Sequence, residues 1–270
     1  MRFWTKSPMA RLVSYFLALT AIGVIVTSLI SLGLARTALT QSVYGRLGAV
    51  AALKEDELNR WVTDQRNEIL ITSRETGIIN SLKALSTFDE QSNDYKTAHD
   101  YLLAELDTET KNHISLQEIL LLSPVGGKIL VSTIQESEGQ YRVSDSYYTQ
   151  GRLDIYVQNV YTSPQTGKPA MTISAPVFDS RGNLAGVLAA HINLERLDSI
   201  ILQRAGLGST GETYLVDRFN NFISAARFGE RELPRGVHTE GIDTALQGKD
   251  GEGLYINYDG VPVIGVYKWV

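Results

Sequence analysis

The most prominent hydrophobic pattern is an uninterrupted apolar run near the N-terminus. Residues 12–35 contain no charged side chain. A helix rises about 1.5 Å per residue, so a run of this length can cross a hydrocarbon core of about 30 Å with some tilt. The apolar region of a cleaved signal peptide is shorter, and a buried core helix normally keeps a polar stripe. We therefore predict a transmembrane helix over residues 12–35, after a short N-terminal segment, residues 1–11.

A helical pattern continues beyond this run. Residues 36–85 contain no proline, and apolar side chains recur mostly every three or four residues between Leu39 and Leu70, as on one face of a helix. This predicts a long stalk helix. A narrow apolar stripe can pack along the domain it supports, pair with the same helix of a second protomer to form a homodimer, or transmit a displacement to the membrane. A polar loop and a second helix, Tyr95–Leu106, follow the stalk.

Short apolar runs separated by turn residues replace the helical pattern from about residue 114 onwards. This pattern is typical of antiparallel strands. The first predicted strands are Leu116–Ser123, Lys128–Thr133, Tyr156–Val160, Ala170–Phe178 and Leu184–Leu194. Residues Asp179–Asn183 tolerate turn geometry and predict a hairpin between the last two strands. The turn Ser163–Pro169 folds the preceding strand back against this hairpin.

A second group of strands follows a helix predicted over Glu195–Ala205. Its members are Glu212–Asp217, Phe222–Ala226, Leu254–Tyr258 and Val261–Val270. The two groups predict an α+β chain with two antiparallel-sheet lobes, residues 86–194 and 212–270, joined by residues 195–211. Because Val270 ends the sequence inside an apolar strand, we expect the second lobe to be incomplete and the chain to be an N-terminal fragment.

The charge distribution predicts the orientation of the transmembrane helix. The chain has a formal net charge of -5, but residues 1–11 carry Arg2, Lys6 and Arg11 and no acidic residue. By the positive-inside rule, the N-terminus is cytoplasmic and the residues after 36 are periplasmic or extracellular. The acidic remainder argues against a nucleic-acid partner, which would require a basic face. The absence of cysteine excludes a disulfide framework, a Cys-ligated zinc ion and a thiol nucleophile.

The sequence contains no motif for catalysis, a cofactor or a metal. Its four histidines show no HExxH or other close metal-ligand spacing. Gly206–Gly211 matches GxGxxG, but it follows a predicted helix and precedes a predicted strand, which is the reverse of the order that dinucleotide binding requires. We interpret it as a helix stop and connector. We therefore expect no cofactor and no metal, and assign no enzymatic activity to these residues.

A group of tyrosines precedes the central hairpin. Its members are Tyr141, Tyr147, Tyr148, Tyr156 and Tyr161. Tyrosine combines a flat apolar face with a hydroxyl group, which suits a concave site for a small ligand. His191 lies on the strand that should run beside them. The alternative is that the tyrosines only cover the sheet and that His191 is a hydrogen-bonded core residue.

Three sequence segments, which occur in the order typical of a known family, support a resemblance to it. SPQTGKPAMTISAPV, GNLAGVLAAHINLERL and LGSTGETYLVD follow the membrane helix and stalk. This combination resembles the double Cache sensor domain of bacterial transmembrane receptors over roughly residues 37–270. The resemblance implies two PAS-like lobes on a long N-terminal helix, with a small-molecule pocket in the membrane-distal lobe. It also implies a place outside the cell on a histidine kinase, a chemoreceptor or a cyclic-nucleotide enzyme.

The resemblance also implies candidate ligand-binding residues. Its amino-acid-binding branch uses an Arg-x-Trp-Tyr group, a later Tyr-x-Asp and an Asp near the end of the central hairpin. The corresponding residues here are Asp145, Tyr147, Tyr148, Tyr161, Ser163 and His191. Asp145 replaces the arginine and His191 the final aspartate, so the fork and carboxylate that an amino-acid zwitterion needs are missing. An anion held by protonated His191 and tyrosine hydroxyls, with Arg142 as a substitute cation, is one alternative.

We interpret the chain as the small-molecule sensing region of a membrane-bound signalling receptor. The ligand is unknown, and the expected output domain is a histidine kinase beyond Val270. Alternative outputs are a chemoreceptor or a nucleotide cyclase. A different class of function is a ligand-free structural or dimerisation module tethered to the membrane, in which the tyrosines only pack.

Overall fold

The computed structural model describes residues 8–113, 115–163, 169–224 and 236–270. Within them the chain forms two compact units. The predicted turn between Ser163 and Pro169, the end of the predicted strand Phe222–Ala226, and Arg2 and Lys6 lie outside the described residues.

One unit comprises Ala52–His238 and the other comprises Met1–Ala51 with Thr239–Val270. The predicted division into lobes, residues 86–194 and 212–270, stays a prediction. The α+β class is confirmed, because each unit combines helices with an antiparallel sheet.

Three helices precede the first strand: α1 (Pro8–Thr72), α2 (Thr76–Thr87) and α3 (Asn93–Asn112). α1 includes the apolar run of residues 12–35 and is long and apolar enough to cross a membrane. The large apolar side chains of this run are exposed along the helix. Such exposure fits contact with lipid, where apolar side chains face hydrocarbon.

The stalk predicted as one helix over residues 36–85 is two helices, because the chain turns after Thr72. The hydroxyl of Thr72 donates to the carbonyl of Glu68 (3.2 Å), and that of Ser73 donates to the carbonyl of Leu70 (2.9 Å). Side chains that bond back to the backbone in this way bend helices. The apolar period did not reveal the break, because α2 resumes a buried apolar face. Homodimerisation through the stalk stays a prediction.

A five-stranded antiparallel sheet forms the centre of the Ala52–His238 unit. Its strands are β1 (Leu116–Leu122), β2 (Ile129–Ser132), β3 (Tyr156–Thr162), β4 (Pro169–Phe178) and β5 (Leu184–Asn193). They lie in the order β2-β1-β5-β4-β3. All five were predicted, as was the β4–β5 hairpin. Its turn is held by Asp179, whose Oδ1 accepts from the backbone N–H groups of Arg181 and Asn183 at 2.8 Å.

Alternate residues of the strands face two different layers, as expected from the two-residue period of a strand. One face packs against the helices that precede the sheet, and both sides of this contact are apolar. Its members include Ile119, Leu121, Ile173, Leu188 and Ala190 of the sheet and Ile78, Leu82, Leu102 and Leu106 of α2 and α3. The opposite face packs against a short helix, α4 (Ser146–Gly151), which the sequence analysis missed.

A further short helix, α5 (Glu195–Ile201), follows β5 and ends before the predicted limit, Ala205. Lys54 of α1 is buried, and its Nζ donates to the backbone carbonyls of Ile201 and Gln203, the latter at 3.0 Å. A cation that donates to the last carbonyls of a helix caps its C-terminus. Lys54 therefore fixes the end of α5 against α1.

The segment after α5 is a connector, as the order of elements around its glycines predicted. Gly206 and Gly208 have φ angles of 78° and 65°, in the left-handed region that favours glycine. The Gly206–Gly211 segment lies in turns and opens no helix within the described residues.

The prediction of two regular strands on either side of residues 217–221 is wrong within the described residues. They are reduced to one bridge between Val216 and Phe222. Asp217 Oδ1 accepts from the backbone N–H groups of Phe219 and Asn221 at 2.8 and 2.9 Å, so the predicted turn is present. Two backbone bonds cross the turn, from Asp217 N–H to the Asn221 carbonyl (2.8 Å) and from Ile223 N–H to the Leu215 carbonyl (3.0 Å). The pairing stops short of a regular ladder because Leu215 N–H donates to the side chain of Ser224 (2.8 Å).

The other unit contains a hairpin covered by one helix. Its elements are α6 (Glu240–Ala245), β6 (Gly251–Ile256) and β7 (Pro262–Tyr267). The predicted Asp259–Gly260 turn joins the strands, and Gly260 has a φ of 78°. Tyr255 and Tyr267 pack edge to face at 6.3 Å between ring centroids.

Candidate functional site

Polar side chains cross the α4 face of the central sheet in a single row. Glu118 of β1 pairs with His191 of β5, His191 with Thr172 of β4, and Thr172 with Gln158 of β3. Directly opposed residues in antiparallel strands point to the same face. We call these four residues the polar row. Glu118, Thr172 and His191 are buried. The row therefore lies within an apolar layer and not on the solvent-exposed surface.

Both ring nitrogens of His191 lie near polar side chains, but only Nδ1 is within hydrogen-bonding distance of them. Nδ1 lies 2.7 Å from Thr172 Oγ1 and 3.3 Å from Tyr161 Oη. Tyr161 Oη is also 2.8 Å from Thr172 Oγ1. Nε2 lies 3.7 Å from Glu118 Oε2. The ring is therefore placed with two hydroxyl groups on one side and a carboxyl group on the other.

Only one of the two carboxyl oxygens of Glu118 has a hydrogen-bond partner among the described residues. Its side chain is 1% exposed. Oε1 accepts a 2.6 Å hydrogen bond from Ser132 Oγ, whereas Oε2 has no hydrogen-bond partner among the described residues. Buried polar atoms normally have a partner, so such an oxygen indicates a functional or strained position.

Tyr147 of α4 lies against the polar row. Its ring meets that of His191 edge to face, with 5.5 Å between centroids. Its backbone N–H donates to Gln158 Oε1 (3.2 Å), and its carbonyl accepts from Ser174 Oγ (2.7 Å), which fixes α4 on the sheet. Its hydroxyl is buried and makes no hydrogen bond of ordinary length within the part of the chain that the structure describes, although the Asp145 carboxylate is close enough to interact with it and to raise its pKa.

Tyr148 has a different environment, although it is the next residue of α4. Its hydroxyl donates to the carbonyls of Ser123 and Pro124 at 3.2 Å. The guanidinium group of Arg152 lies 5.6 Å from the centre of its ring. Tyr148 therefore joins α4 to the β1–β2 turn and does not reach the polar row.

The other predicted site residues lie around the row. Arg142 Nε is 3.6 Å from Asp145 Oδ2, and Arg142 Nη2 donates to Gln140 Oε1 at 2.7 Å. Both charges are close enough to affect the pKa of Tyr147 and of His191. Ser163 is buried directly after β3. The structure thus brings Arg142, Asp145, Tyr147, Tyr161 and His191 together, and it adds Glu118 and Thr172, which the sequence analysis missed.

Burial controls the protonation of the titratable groups here. It lowers the pKa of His191, an effect that the charge of Glu118 partly opposes. It raises the pKa of Tyr147 and of Tyr161, and the charge of Asp145 raises both further. At neutral pH the imidazole and both phenols are therefore uncharged. Protonated His191, on which the anion interpretation depended, is disfavoured.

A separate cluster offers ligand atoms for a metal ion. One ligand atom each from Glu68, Glu109 and His113 lies within 4.8 Å of the other two, the only such group among the described residues. Glu68 Oε1 is 2.7 Å from His113 Nε2, and this contact joins α1 to the residue that follows α3. The sequence analysis missed this cluster, because only Glu109 and His113 are close in sequence and Glu68 belongs to another helix.

A groove of about 210 Å³ lies at another edge of the Ala52–His238 unit. Its lining residues are Leu70, Ser73, Arg74, Ile79, Leu153, Asp154, Pro176 and Phe178. None of them belongs to the polar row, and none was predicted as a site residue.

The lowered pKa of His191 predicts the pH dependence of stability. The unfolded chain takes up the His191 proton first as pH falls, because its pKa there is near the ordinary 6.5. The free energy of unfolding therefore decreases below about pH 6.5, by at most about 1.4 kcal/mol per pH unit for this proton. In urea unfolding between about pH 7.5 and pH 5.5, the wild type should lose more stability than His191→Gln.

The matched control for this measurement is His238→Gln, because His238 is exposed. This variant should lose as much stability as the wild type. An equal loss in His191→Gln and wild type would contradict the burial of a neutral imidazole.

Comparison with known proteins identifies the fold. The model of the Cache domain family, dCache_1, matches residues 35–270. No curated protein matches the chain in sequence.

Solved structures with similar folds are sensor domains of receptors. The ligand-binding domain of the Campylobacter jejuni chemoreceptor Tlp3 in complex with 4-methylisoleucine has a TM-score of 0.59 at 14% identity, over 80% of this chain and 82% of that chain. Its complex with L-norvaline has a TM-score of 0.56 at 15% identity, over 81% and 83%. The sensor domain of the V. cholerae histidine kinase DctB has a TM-score of 0.48 at 11% identity, over 62% and 61%.

At these identities the likeness concerns the fold alone, whereas the family match extends over most of the sequence. The chain therefore belongs to the Cache domain family of sensors.

Proposed function

We propose that the chain is the extracytoplasmic sensing region of a membrane receptor and that a small molecule binds at the polar row. The observation that carries the proposal is the row itself. The row holds a buried carboxyl group and an imidazole in an apolar layer, and Glu118 Oε2 has no hydrogen-bond partner among the described residues. The ring of Tyr147 packs against the imidazole. Convergent polar groups in an apolar setting are typical of small-molecule sites.

The proposed topology has the N-terminus in the cytoplasm and the sensor outside. Three cations precede the apolar run of residues 12–35, and Arg36 alone follows it directly. This asymmetry favours a cytoplasmic N-terminus. The exposed apolar face of α1 supports a membrane span.

We propose that ligand binding acts through β5 and α5. A ligand at the row contacts α4 and β5 together, and α5 begins two residues after β5 ends. Lys54 and Glu57 of α1 hold α5: Lys54 caps its end, and Glu57 Oε1 accepts from Arg196 Nη2 at 2.9 Å. A displacement of β5 therefore reaches α1. The ligand can shift this equilibrium only by its difference in affinity for the two arrangements.

We further propose a histidine kinase as the output of the receptor. This proposal rests on the sensor role, because ligand binding needs an effector domain to produce a response. Residues 1–270 contain no catalytic motif. In the coding sequence after residue 270 we expect a second span, a His-containing dimerisation helix and ATP-binding motifs. A chemoreceptor signalling domain or a nucleotide cyclase there would contradict this choice.

One observation favours the alternative of a ligand-free module. Tyr147 and Tyr148 are 4% and 1% exposed, so both are turned into the interior. The hydroxyl of Tyr148 is satisfied by backbone carbonyls, as expected for a packing residue. The buried hydroxyl of Tyr147, which makes no hydrogen bond of ordinary length among the described residues, is the feature that packing alone leaves unexplained.

The test is thermal melting of the full chain in detergent with a panel of L-amino acids, linear carboxylates and linear primary amines. We expect at least one class to raise the melting temperature of the wild type, because a ligand of the folded state stabilises it. The double variant Tyr147→Ala/His191→Ala should abolish that rise. Circular dichroism of the variant checks that it is folded.

The control variant is Tyr141→Ala, which removes an exposed tyrosine of the same unit and should keep the ligand-induced rise. If the double variant also keeps it, the site is wrong. If no compound stabilises the wild type, the ligand-free module is favoured instead.

A further inference from the structure

We propose that Glu68, Glu109 and His113 form a binding site for one divalent transition-metal ion of the zinc class, which joins the end of α1 to the end of α3. We call these three residues the metal cluster. The cluster shares no residue with the polar row, and the inference goes beyond the proposed function without depending on it.

The first argument is the convergence of three ligand atoms. Glu68 lies near the end of α1, Glu109 lies in the last turn of α3, and His113 directly follows α3. His113 Nε2 is 2.7 Å from Glu68 Oε1 and 3.6 Å from Glu109 Oε2. Two ligand atoms that each lie about 2.0–2.2 Å from a zinc ion are about 3.4 Å apart in a tetrahedral site. The spacing of the cluster is therefore close to that of ligands around one ion.

The second argument is the environment of Glu68 Oε1. This atom is buried and makes no hydrogen bond among the described residues, although His113 Nε2 is only 2.7 Å away. The two atoms are thus close without being aligned as donor and acceptor. Such a contact is expected where both lone pairs are directed at a common cation. His99 of the same unit shows the other arrangement, because its Nε2 forms a hydrogen bond with Glu138 Oε1 at 3.1 Å.

The third argument is that hydrogen bonds outside the cluster orient its members. Gln65 Nε2, from the preceding turn of α1, donates to Glu68 Oε2 at 3.5 Å, which leaves Oε1 for the cluster. Gln65 Oε1 accepts from Ser115 Oγ at 2.9 Å, and Ser115 lies two residues after His113. Gln65 therefore holds both the carboxylate and the segment that carries the imidazole. Metal ligands in proteins are usually oriented by such outer hydrogen bonds.

The fourth argument is the surplus of negative charge around the cluster. Burial raises the pKa of Glu68, the charge of His113 opposes this effect, and the charge of Glu109 adds to it. Burial also raises the pKa of Glu75, as do the charges of Glu105 and Glu109. Among the described residues, His113 is the only basic side chain within ion-pair distance of Glu68 or Glu109. A divalent cation would relieve the repulsion between these carboxylates.

The ligand atoms determine the class of ion. Mg²⁺ and Ca²⁺ prefer oxygen ligands alone, and softer ions prefer thiolates, which this sequence lacks. One imidazole nitrogen with two carboxylate oxygens suits Zn²⁺ and its first-row neighbours. The side chains of Glu109 and His113 are 24% and 39% exposed, so an ion can enter from solvent and keep a water molecule as its fourth ligand.

The experiment uses the full chain in detergent, without a histidine tag and after removal of bound metal with EDTA. ZnCl₂ should raise the melting temperature, because an ion that binds the folded state stabilises it. Calorimetry should show one strong zinc site per chain, whereas MgCl₂ and CaCl₂ at the same concentration should cause no shift. His113→Ala should weaken zinc binding by at least about tenfold, because loss of even an outer partner of a metal ligand costs this much.

The matched control is His99→Ala, which removes another histidine beside two carboxylates. Asp100 Oδ1 is 3.7 Å from His99 Nδ1, and Glu138 Oε1 is 3.1 Å from His99 Nε2. Because the two carboxylates face different ring nitrogens, they cannot share one ion with this imidazole. The variant should therefore bind zinc as the wild type does.

A second variant keeps the proposal testable if His113→Ala does not fold. Glu109→Gln removes one ligand and the repulsion that acts on Glu68, and the contact of Glu109 with His113 is only 3.6 Å. Zinc affinity should fall by at least about tenfold, whereas the melting temperature of the metal-free variant should equal or exceed that of the wild type. A purely structural role of Glu109 would lower this melting temperature instead.

The remaining outcomes decide between the site and the ion. Unchanged zinc binding by both His113→Ala and Glu109→Gln would overturn the site. A shift with MgCl₂ or CaCl₂ as large as that with ZnCl₂ would overturn the class of ion, and a wild type that zinc does not stabilise would overturn the whole inference. None of these results affects the polar row, which is tested separately by Tyr147→Ala/His191→Ala.

Discussion

Burial of a carboxyl group inside a sheet that is covered on both faces is the constraint on which the site depends. Helices α1–α3 cover one face and α4 covers the other, so Glu118 has little access to water. A buried charge is tolerated only where partners compensate for lost hydration. Ser132 supplies one partner and His191 lies near enough to interact, but one oxygen is left without a hydrogen bond within the described chain.

The two-residue period of a strand lets one sheet hold the core and the site together. On β5, Leu188 and Ala190 contribute to the helix-facing core, while Ala189 and His191 face α4. Each residue of the polar row therefore has a sequence neighbour that packs towards the helices. Because Lys54 and Glu57 tie α5 to α1, the same strand is also joined to the helix that leads to the apolar run.

Much of the fold was predictable, because apolar period and turn residues are local signals. All five strands of the central sheet and the Asp179 turn were found in this way. The helix break after Thr72 was not predicted, because it depends on hydrogen bonds from side chains to the backbone. The short helix α4 was not predicted either, because six residues are too few to show a helical period. Tyr147 and His191 were anticipated, but Glu118 was not. The only sequence signal for Glu118 was a charged residue inside the apolar run LQEILLL. Its position opposite His191 depends on the register between β1 and β5, which are far apart in the sequence.

The most direct test of the account is a crystal structure of the protein with the small molecule that stabilises it most. The account predicts the compound between α4 and the polar row, with a polar atom within hydrogen-bonding distance of Glu118 Oε2, because this buried oxygen lacks a partner among the described residues. A compound bound instead in the groove lined by Leu70, Arg74 and Asp154 would contradict it.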